Sequence, residues 1–222
     1  MGTVIFDLDG TLADTSGDLL AAANACFRGM GVGDMLGPDD APVALNGGRA
    51  MLRLGLERLG RTGDEDEVDR QFPILLAAYE SAIDTHTRLF PGAMQAVADL
   101  GAAGYRVGIC TNKPEALAEL LLTRLGVRDA FASLVGADTL PVRKPEPEPL
   151  REAVRRAGGD PAQSCLIGDS RTDRETARAA GVPSILVTFG PSGHLTTALN
   201  PEALFGHFDE LPAVIARIMP IA

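Results

Sequence analysis

A chain of 222 residues is long enough for one domain, or for one domain carrying an insertion. Hydrophobic residues make up 45% and charged residues 23%, globular proportions that exclude a disordered or collagen-like chain. Asp and Glu number 30 against 20 Lys and Arg, a net charge of -10 that repels a phosphate backbone and argues against a nucleic-acid-binding module.

In chain order, Thr3 to Phe6 reads as a first strand. Residues 14–88 then read as helix after helix. Leu19, Leu20, Ala23, Phe27 and Met30 form one apolar stripe ended by Gly31, and Leu52, Leu56 and Leu59 form another ended by Gly60. Thr62 and Glu65 have capping-box spacing, and the acidic run Asp64 to Glu67 suits the positive end of a helix rather than a metal site. Pro73 is expected to kink or divide the last helix of this block. Strand patterns return at Arg106 to Cys110, Ser133 to Val135, Cys165 to Ile167 and Ser184 to Thr188. Helices alternate with them, opened by Pro91 and Pro114 and stopped by glycines at 101, 104 and 126. The tail after Asn200, with Leu204, Leu211, Val214, Ile215 and Ile218, reads as a helix closing the core. The pattern predicts an α/β protein: a Rossmann-like parallel sheet core (residues 1–13 and 89–222) with an inserted all-helical cap (residues 14–88). The linkers near Ala13-Asp14 and from Arg88 to Pro91 are the expected hinges.

Cys26, Cys110 and Cys165 form no CxxC pair, which suits a reducing compartment, and Cys110 and Cys165 sit in apolar runs that predict burial. His86, His194 and His207 lack metal-ligand spacing and read as surface residues. With no Trp and two Tyr there is no stacking platform for bases. No secretory pattern precedes Val4-Ile5-Phe6, Phe6 stands where a myristoylation signal needs Ser or Thr, and no apolar run nears the ~20 residues of a membrane span. The expectation is a cytoplasmic protein with no membrane and no nucleic-acid partner.

The strand ends carry the chemistry. Strand one runs into Asp7-Leu8-Asp9-Gly10-Thr11, strand two into Thr111-Asn112-Lys113, and strand four into Gly168-Asp169-Ser170 with Asp173 beyond. Arg143-Lys144-Pro145 follows strand three. Ligands of open parallel sheets bind beyond the carboxyl ends of the strands, so these groups are expected at one edge. Carboxylates crowded together call for a shared cation, and hard oxygen donors without His or Cys favour Mg²⁺. A lysine and a hydroxyl beside that cation suit a phosphate group. The carboxylate of Asp7 would form an aspartyl-phosphate, and Asp9 would protonate the leaving alkoxide and later deprotonate water. Lys113 and Lys144 are the only lysines of the chain, so each invites a reason.

The segment from Phe6 to Leu12, followed in order by Thr111, Lys144 and Gly168-Asp169-Ser170 with Asp173, resembles the haloacid dehalogenase superfamily over essentially the whole chain. The resemblance implies that Asp7 is the nucleophile, Asp9 the acid/base that also offers a backbone carbonyl to Mg²⁺, and Asp169 a metal carboxylate. It implies phosphate contacts from Thr111, Asn112 and Lys144. Asp173 resembles the acid that orients the lysine or a metal-bound water, and Ser170 a metal-shell residue. Asp14-Thr15, the helical lid, Thr111 to Pro114 and Arg143 to Pro147 are most similar to phosphoglycolate phosphatases, whereas the loop from Gly190 to Leu199 departs from that pattern. The lid segment Asn46-Gly47-Gly48-Arg49 is similar to the cap loop that faces the site, and Arg49 is either a partner for a substrate carboxylate or a solvent-facing helix start. Lys113 either supplements phosphate binding or is a surface lysine.

The expected substrate is a small phosphorylated metabolite, 2-phosphoglycolate first, then sugar phosphates or pyrophosphate, handled by a monomer or homodimer. Asp9 and the acidic pair near strand four argue against dehalogenation. The absence of lysine from residues 14–88 excludes the Schiff-base phosphonate hydrolases of this superfamily. A sugar phosphomutase shares the core chemistry and stays open. A phospho-accepting signalling domain uses similar residues, but their order here is wrong for it and the helical insert has no place in it.

Overall fold

The computed structural model describes residues 2–220, so Met1 and residues 221 and 222 of the expected core lie outside the described residues. The chain divides into two compact units, Met1–Ala13 with Leu89–Ala222, and Asp14–Arg88.

The larger unit is built on a parallel sheet. Its strands are β1 (Thr3–Phe6), β4 (Arg106–Cys110), β5 (Ser133–Val135), β6 (Ser164–Gly168), β7 (Ser184–Val187) and β8 (Ala203–Phe205), with β2 (Ala13–Asp14) and β3 (Arg88–Leu89) in a separate two-residue ribbon. The order across the sheet is β5-β4-β1-β6-β7-β8. β1 pairs with β4 on one side and β6 on the other, with Phe6 level with both Ile109 and Ile167. Every residue of β1, β6 and β7 is buried. Strands covered on both faces are near-continuous apolar runs, which is why they were legible by composition rather than alternation.

Helices α5 (Ala93–Ala102), α6 (Glu115–Arg124), α7 (Glu148–Arg156), α8 (Arg171–Ala180), α9 (Gly193–Thr196) and α10 (Leu211–Ile218) connect or follow these strands. α7 and α8 close one face over a core of Ile5, Cys110, Val135, Leu150, Val154, Leu166 and Ala177, while α5 and α10 pack on each other and against β4 and β8. Each fully buried Ile, Leu or Val of this core contributes roughly 1.5–3 kcal/mol of transfer free energy.

Three expectations for this unit need correction. The tail is not helix alone: Ala203–Phe205 forms the edge strand β8 against β7, and α10 starts only at Leu211. α5 begins at Ala93, because Gly92 takes a left-handed conformation (φ 79°) just before it. Thr188 falls outside β7.

The smaller unit holds α1 (Ser16–Gly29), a short turn at Pro38–Asp40, α2 (Ala41–Ala44), α3 (Gly48–Arg58) and α4 (Glu65–Ser81). α1 lies against α3 so closely that a Cβ on Gly55 would come within 2.1 Å of the Phe27 ring. The buried Asp18 carboxylate, in the first turn of α1, accepts hydrogen bonds from the His86 and Thr87 amides and the Thr87 hydroxyl. That ties the two ends of the insertion together. Two expectations are corrected here. The cap of α4 is Asp64, whose carboxylate accepts from the Glu67 amide at 3.1 Å, and not Thr62. Gly63 at φ 81° separates Thr62 from the helix. Pro73 does not divide α4, which runs unbroken from Glu65 to Ser81.

Candidate active site

Because β4, β1 and β6 are neighbours in register, the residues just beyond them arrive side by side. Asp7 continues the ladder from β1, its amide donating to Ile167 O at 2.8 Å, and Thr111 continues it from β4, donating to Val135 O at 2.9 Å. Asp169 follows β6 directly, and Asp173 stands in the first turn of α8. The chain builds the sheet from β1 to β4 and β5 on one side and then crosses to β6, β7 and β8 on the other, so the strand order reverses beside β1, the place where open parallel sheets bind their ligands.

Carboxylate oxygens of Asp7, Asp169 and Asp173 all lie within 4.8 Å of one another. The Lys144 ammonium enters this group from the loop after β5, 2.6 Å from Asp173 Oδ1 and 3.1 Å from Asp7 Oδ1. Asp7 Oδ1 also accepts the Leu8 amide at 2.7 Å. Asp173 is fully buried and busy: its Oδ2 accepts from the Ser170 hydroxyl and from the amides of Asp169 and Ser170, closing a capping box at the start of α8. Gly168 is required here, since a Cβ on it would lie 2.4 Å from Asp173 Cβ. Asp173 is therefore placed to hold Lys144, whereas Asp7 and Asp169 keep fewer protein donors.

The electrostatics have one sign. Burial pushes the Asp7 carboxyl up to about 6, with Lys144 opposing and Asp173 and Asp9 adding to the rise. Burial, then Asp173 and Asp7, push Asp169 well above the usual carboxylate range. Burial works against the Lys144 ammonium, but Asp173 and Asp7 more than offset it and its pKa is raised. Several buried carboxylates around one ammonium leave negative charge that a cation would relieve. The donor set contains oxygen only, so the residues fit a hard divalent ion, with Asp7 and Asp169 as its carboxylates.

Of the remaining candidate residues, Asp9, Thr111, Asn112 and Lys113 belong to the same unit as this centre and Arg49 to the other. Asp9, partly exposed, pairs with Lys113 Nζ at 2.9 Å. Lys113 is buried, not a surface lysine. Thr111 is buried and its hydroxyl accepts the Lys113 amide at 3.2 Å. The Asn112 side-chain amide donates to the Lys144 carbonyl at 3.0 Å. Arg49 belongs to the helical unit, in the first turn of α3, where it pairs with Asp69 at 2.5 Å and lies 4.6 Å over the Phe72 ring. Thr11 was quoted within the first motif without a role; its hydroxyl points at Asp169 Oδ1 from 3.4 Å. The exposed positions of His86, His194 and His207 agree with their reading as surface residues. No helix among the described residues is long and apolar enough to cross a membrane.

Comparison with known proteins agrees with this geometry. Residues 4–187 match the family model of haloacid dehalogenase-like hydrolases. A phosphoglycolate phosphatase of Mesorhizobium japonicum is 38% identical over 217 residues, covering 96% of this chain and 94% of the relative. One from Rhodospirillum rubrum is 38% identical over 218 residues, covering 94% and 88%. The fold matches the crystal structure of a predicted phosphoglycolate phosphatase from Haemophilus somnus 129PT with a TM-score of 0.84 at 24% identity, over 96% of this chain and 97% of that one. A haloacid dehalogenase-like hydrolase from Streptococcus pneumoniae gives 0.79 at 22% identity, over 97% and 98%. With the aspartates, the threonine and Lys144 gathered at one sheet edge, and the family match running from β1 through β7, this protein belongs to the haloacid dehalogenase-like hydrolases.

Proposed function

We propose that the protein is a cytoplasmic, Mg²⁺-dependent phosphomonoesterase that converts 2-phosphoglycolate to glycolate and inorganic phosphate, as a monomer or homodimer. The observation that carries this reading is the meeting of Asp7, Asp169 and Asp173 around the single ammonium of Lys144. The substrate is supported by the shared name of the relatives that match nearly the whole chain. Residues 14–88 serve as the cap that sets substrate choice, with Arg49 as the candidate partner of the substrate carboxylate, a bidentate task suited to guanidinium.

Asp7 and Asp169, with the Asp9 backbone carbonyl, would hold Mg²⁺, which supplies positive charge against the phosphoryl oxygens. Lys144 adds a second positive charge, kept in place by Asp173, and Ser170 keeps Asp173 in place. Thr111 and Asn112 line the phosphoryl subsite. A carboxylate oxygen of Asp7 attacks phosphorus, the bond from phosphorus to the ester oxygen breaks, and the leaving alkoxide takes a proton from Asp9. Asp9 then takes a proton from water, the hydroxide attacks the aspartyl-phosphate at phosphorus, and inorganic phosphate leaves with the Asp7 carboxylate restored.

Phosphate release from 2-phosphoglycolate, hexose phosphates, pyrophosphate and nucleotides, with Mg²⁺ and with EDTA, tests both parts. We expect a preference for 2-phosphoglycolate that EDTA abolishes and added Mg²⁺ restores. Metal-dependent release with another ester preferred overturns the substrate and keeps the chemistry; no release from any ester overturns the phosphatase reading.

A further inference from the structure

The chain has two lysines, and both are buried at the same sheet edge, each against one of two aspartates that are two residues apart. Lys144 stands 3.1 Å from Asp7, and Lys113 stands 2.9 Å from Asp9. The Lys113 side chain is 3% exposed while that of Asp9 is 17% exposed, so the ammonium is the more deeply buried of the pair. Its backbone is clamped on both sides. The Lys113 amide donates to the Thr111 hydroxyl at 3.2 Å, and its carbonyl accepts the Ala137 amide at 2.9 Å. Asp9 is held in a loop just as tight: the amides of Thr11, Leu12 and Ala13 all donate to Leu8 O, and Gly10 donates to Ala13 O at 2.8 Å. Two rigid backbone segments thus bring a buried cation to one oxygen of a partly exposed carboxylate.

We propose that Lys113 is a positioning residue for Asp9: its ammonium fixes the orientation of the acid/base carboxylate at the leaving oxygen, and it does not bind the substrate phosphate. The proposal rests on the assignment of Asp9 as acid/base given above. A carboxylate free to rotate loses rate in unproductive orientations, and a misplacement of about 1 Å lowers the rate about 100-fold. A buried lysine paired with the carboxylate restricts that rotation.

The test uses the full-length protein with Mg²⁺ and compares kcat/KM on 2-phosphoglycolate with kcat/KM on p-nitrophenyl phosphate. This parameter reports steps up to departure of the leaving group. The alkoxide of glycolate needs a proton as it leaves, whereas p-nitrophenolate leaves without one. Lys113→Met is expected to lower kcat/KM for 2-phosphoglycolate about 100-fold and for p-nitrophenyl phosphate less than about threefold, with the inhibition constant of inorganic phosphate unchanged. Lys113→Arg is expected to recover most of the loss. Equal losses on both substrates together with weaker inhibition by phosphate would make Lys113 a phosphate ligand and overturn the proposal. If Lys113→Met does not fold, the neutral pair Asp9→Asn with Lys113→Met replaces it: the double variant should be no slower on 2-phosphoglycolate than Asp9→Asn alone, because Lys113 acts only through Asp9. A further loss in the double variant also overturns it. Wild-type protein inactive on both esters would instead be the failure of the phosphatase reading itself.

Discussion

In the proposed reaction Asp7 is the residue on which the chemistry turns, and its neighbours bury it and engage one of its oxygens. Its carboxyl is pushed up to about 6 by burial, yet Lys144 and the Leu8 amide address the same oxygen and favour the charged form. Asp7→Asn keeps the shape and the Leu8 contact but removes the nucleophile. Turnover of 2-phosphoglycolate is expected to fall at least about 1000-fold with the circular dichroism spectrum unchanged, and a variant within tenfold of wild type would sink the covalent route. At this level the sequence was highly legible, because the aspartates and Thr111 sit directly at strand ends where their placement follows from the strands. Two things escaped it. Lys113 left a surface position and a site position open, since its burial and its pairing with Asp9 join residues distant in sequence. For Asn112 it did not show that the side-chain amide donates to the Lys144 carbonyl, a partner distant in sequence.

Among the elements, those with strong local signals came out where expected and those defined by a partner did not. β1, β4 and β5 fall on the predicted residues, because a short apolar run between glycines and polar strand ends has few other structures open to it. β8 is three residues long and exists by pairing with β7, so nothing local announces it. Asp64 rather than Thr62 caps α4 because the left-handed Gly63 stands between Thr62 and the helix, a conformation that the spacing of polar residues does not encode. Asp40 shows how such local contacts set stability. It accepts two hydrogen bonds from Arg58 on α3 and one from the Gly37 amide, so it joins α3 to the Pro38–Asp40 turn. The Arg58 hydrogen bonds hold its carboxyl below the ordinary value of 3.8, so its contribution is present above that pH and is lost as the pH falls through the lowered value. Asp40→Asn is expected to lower unfolding free energy by about 1 kcal/mol at pH 7, a modest figure because Arg58 is partly exposed. In urea titrations the gap between the two proteins should narrow below pH 3.8; a gap of equal size at pH 7 and pH 3 would contradict this account.

The whole molecule sets the behaviour of its three cysteines, none of which is paired and all of which are buried. Burial raises all three thiols, with Cys110 pushed up to about 12, so thiolate is scarce and shielded. A maleimide at pH 7.5 is expected to leave the folded protein unlabelled and to label all three sites in denaturant; rapid labelling of the native protein would show that the unit carrying the labelled cysteine opens. The sequence by itself determined the α/β class, the helical insertion after the first strand, and the polar residues beyond the strand ends to which we assign phosphoryl chemistry. Those properties depend on short-range spacing: apolar runs, helix stops, and polar groups directly after a strand. Tertiary structure alone decided that β1 lies between β4 and β6, that Asp173 holds Lys144 beside Asp7 and within reach of Asp169, and that Lys113 pairs with Asp9. These are pairings between residues up to 166 positions apart, from Asp7 to Asp173, and no local pattern specifies which distant strand becomes a neighbour. Burying both faces of the sheet selects that arrangement, and the site's charges are set by it.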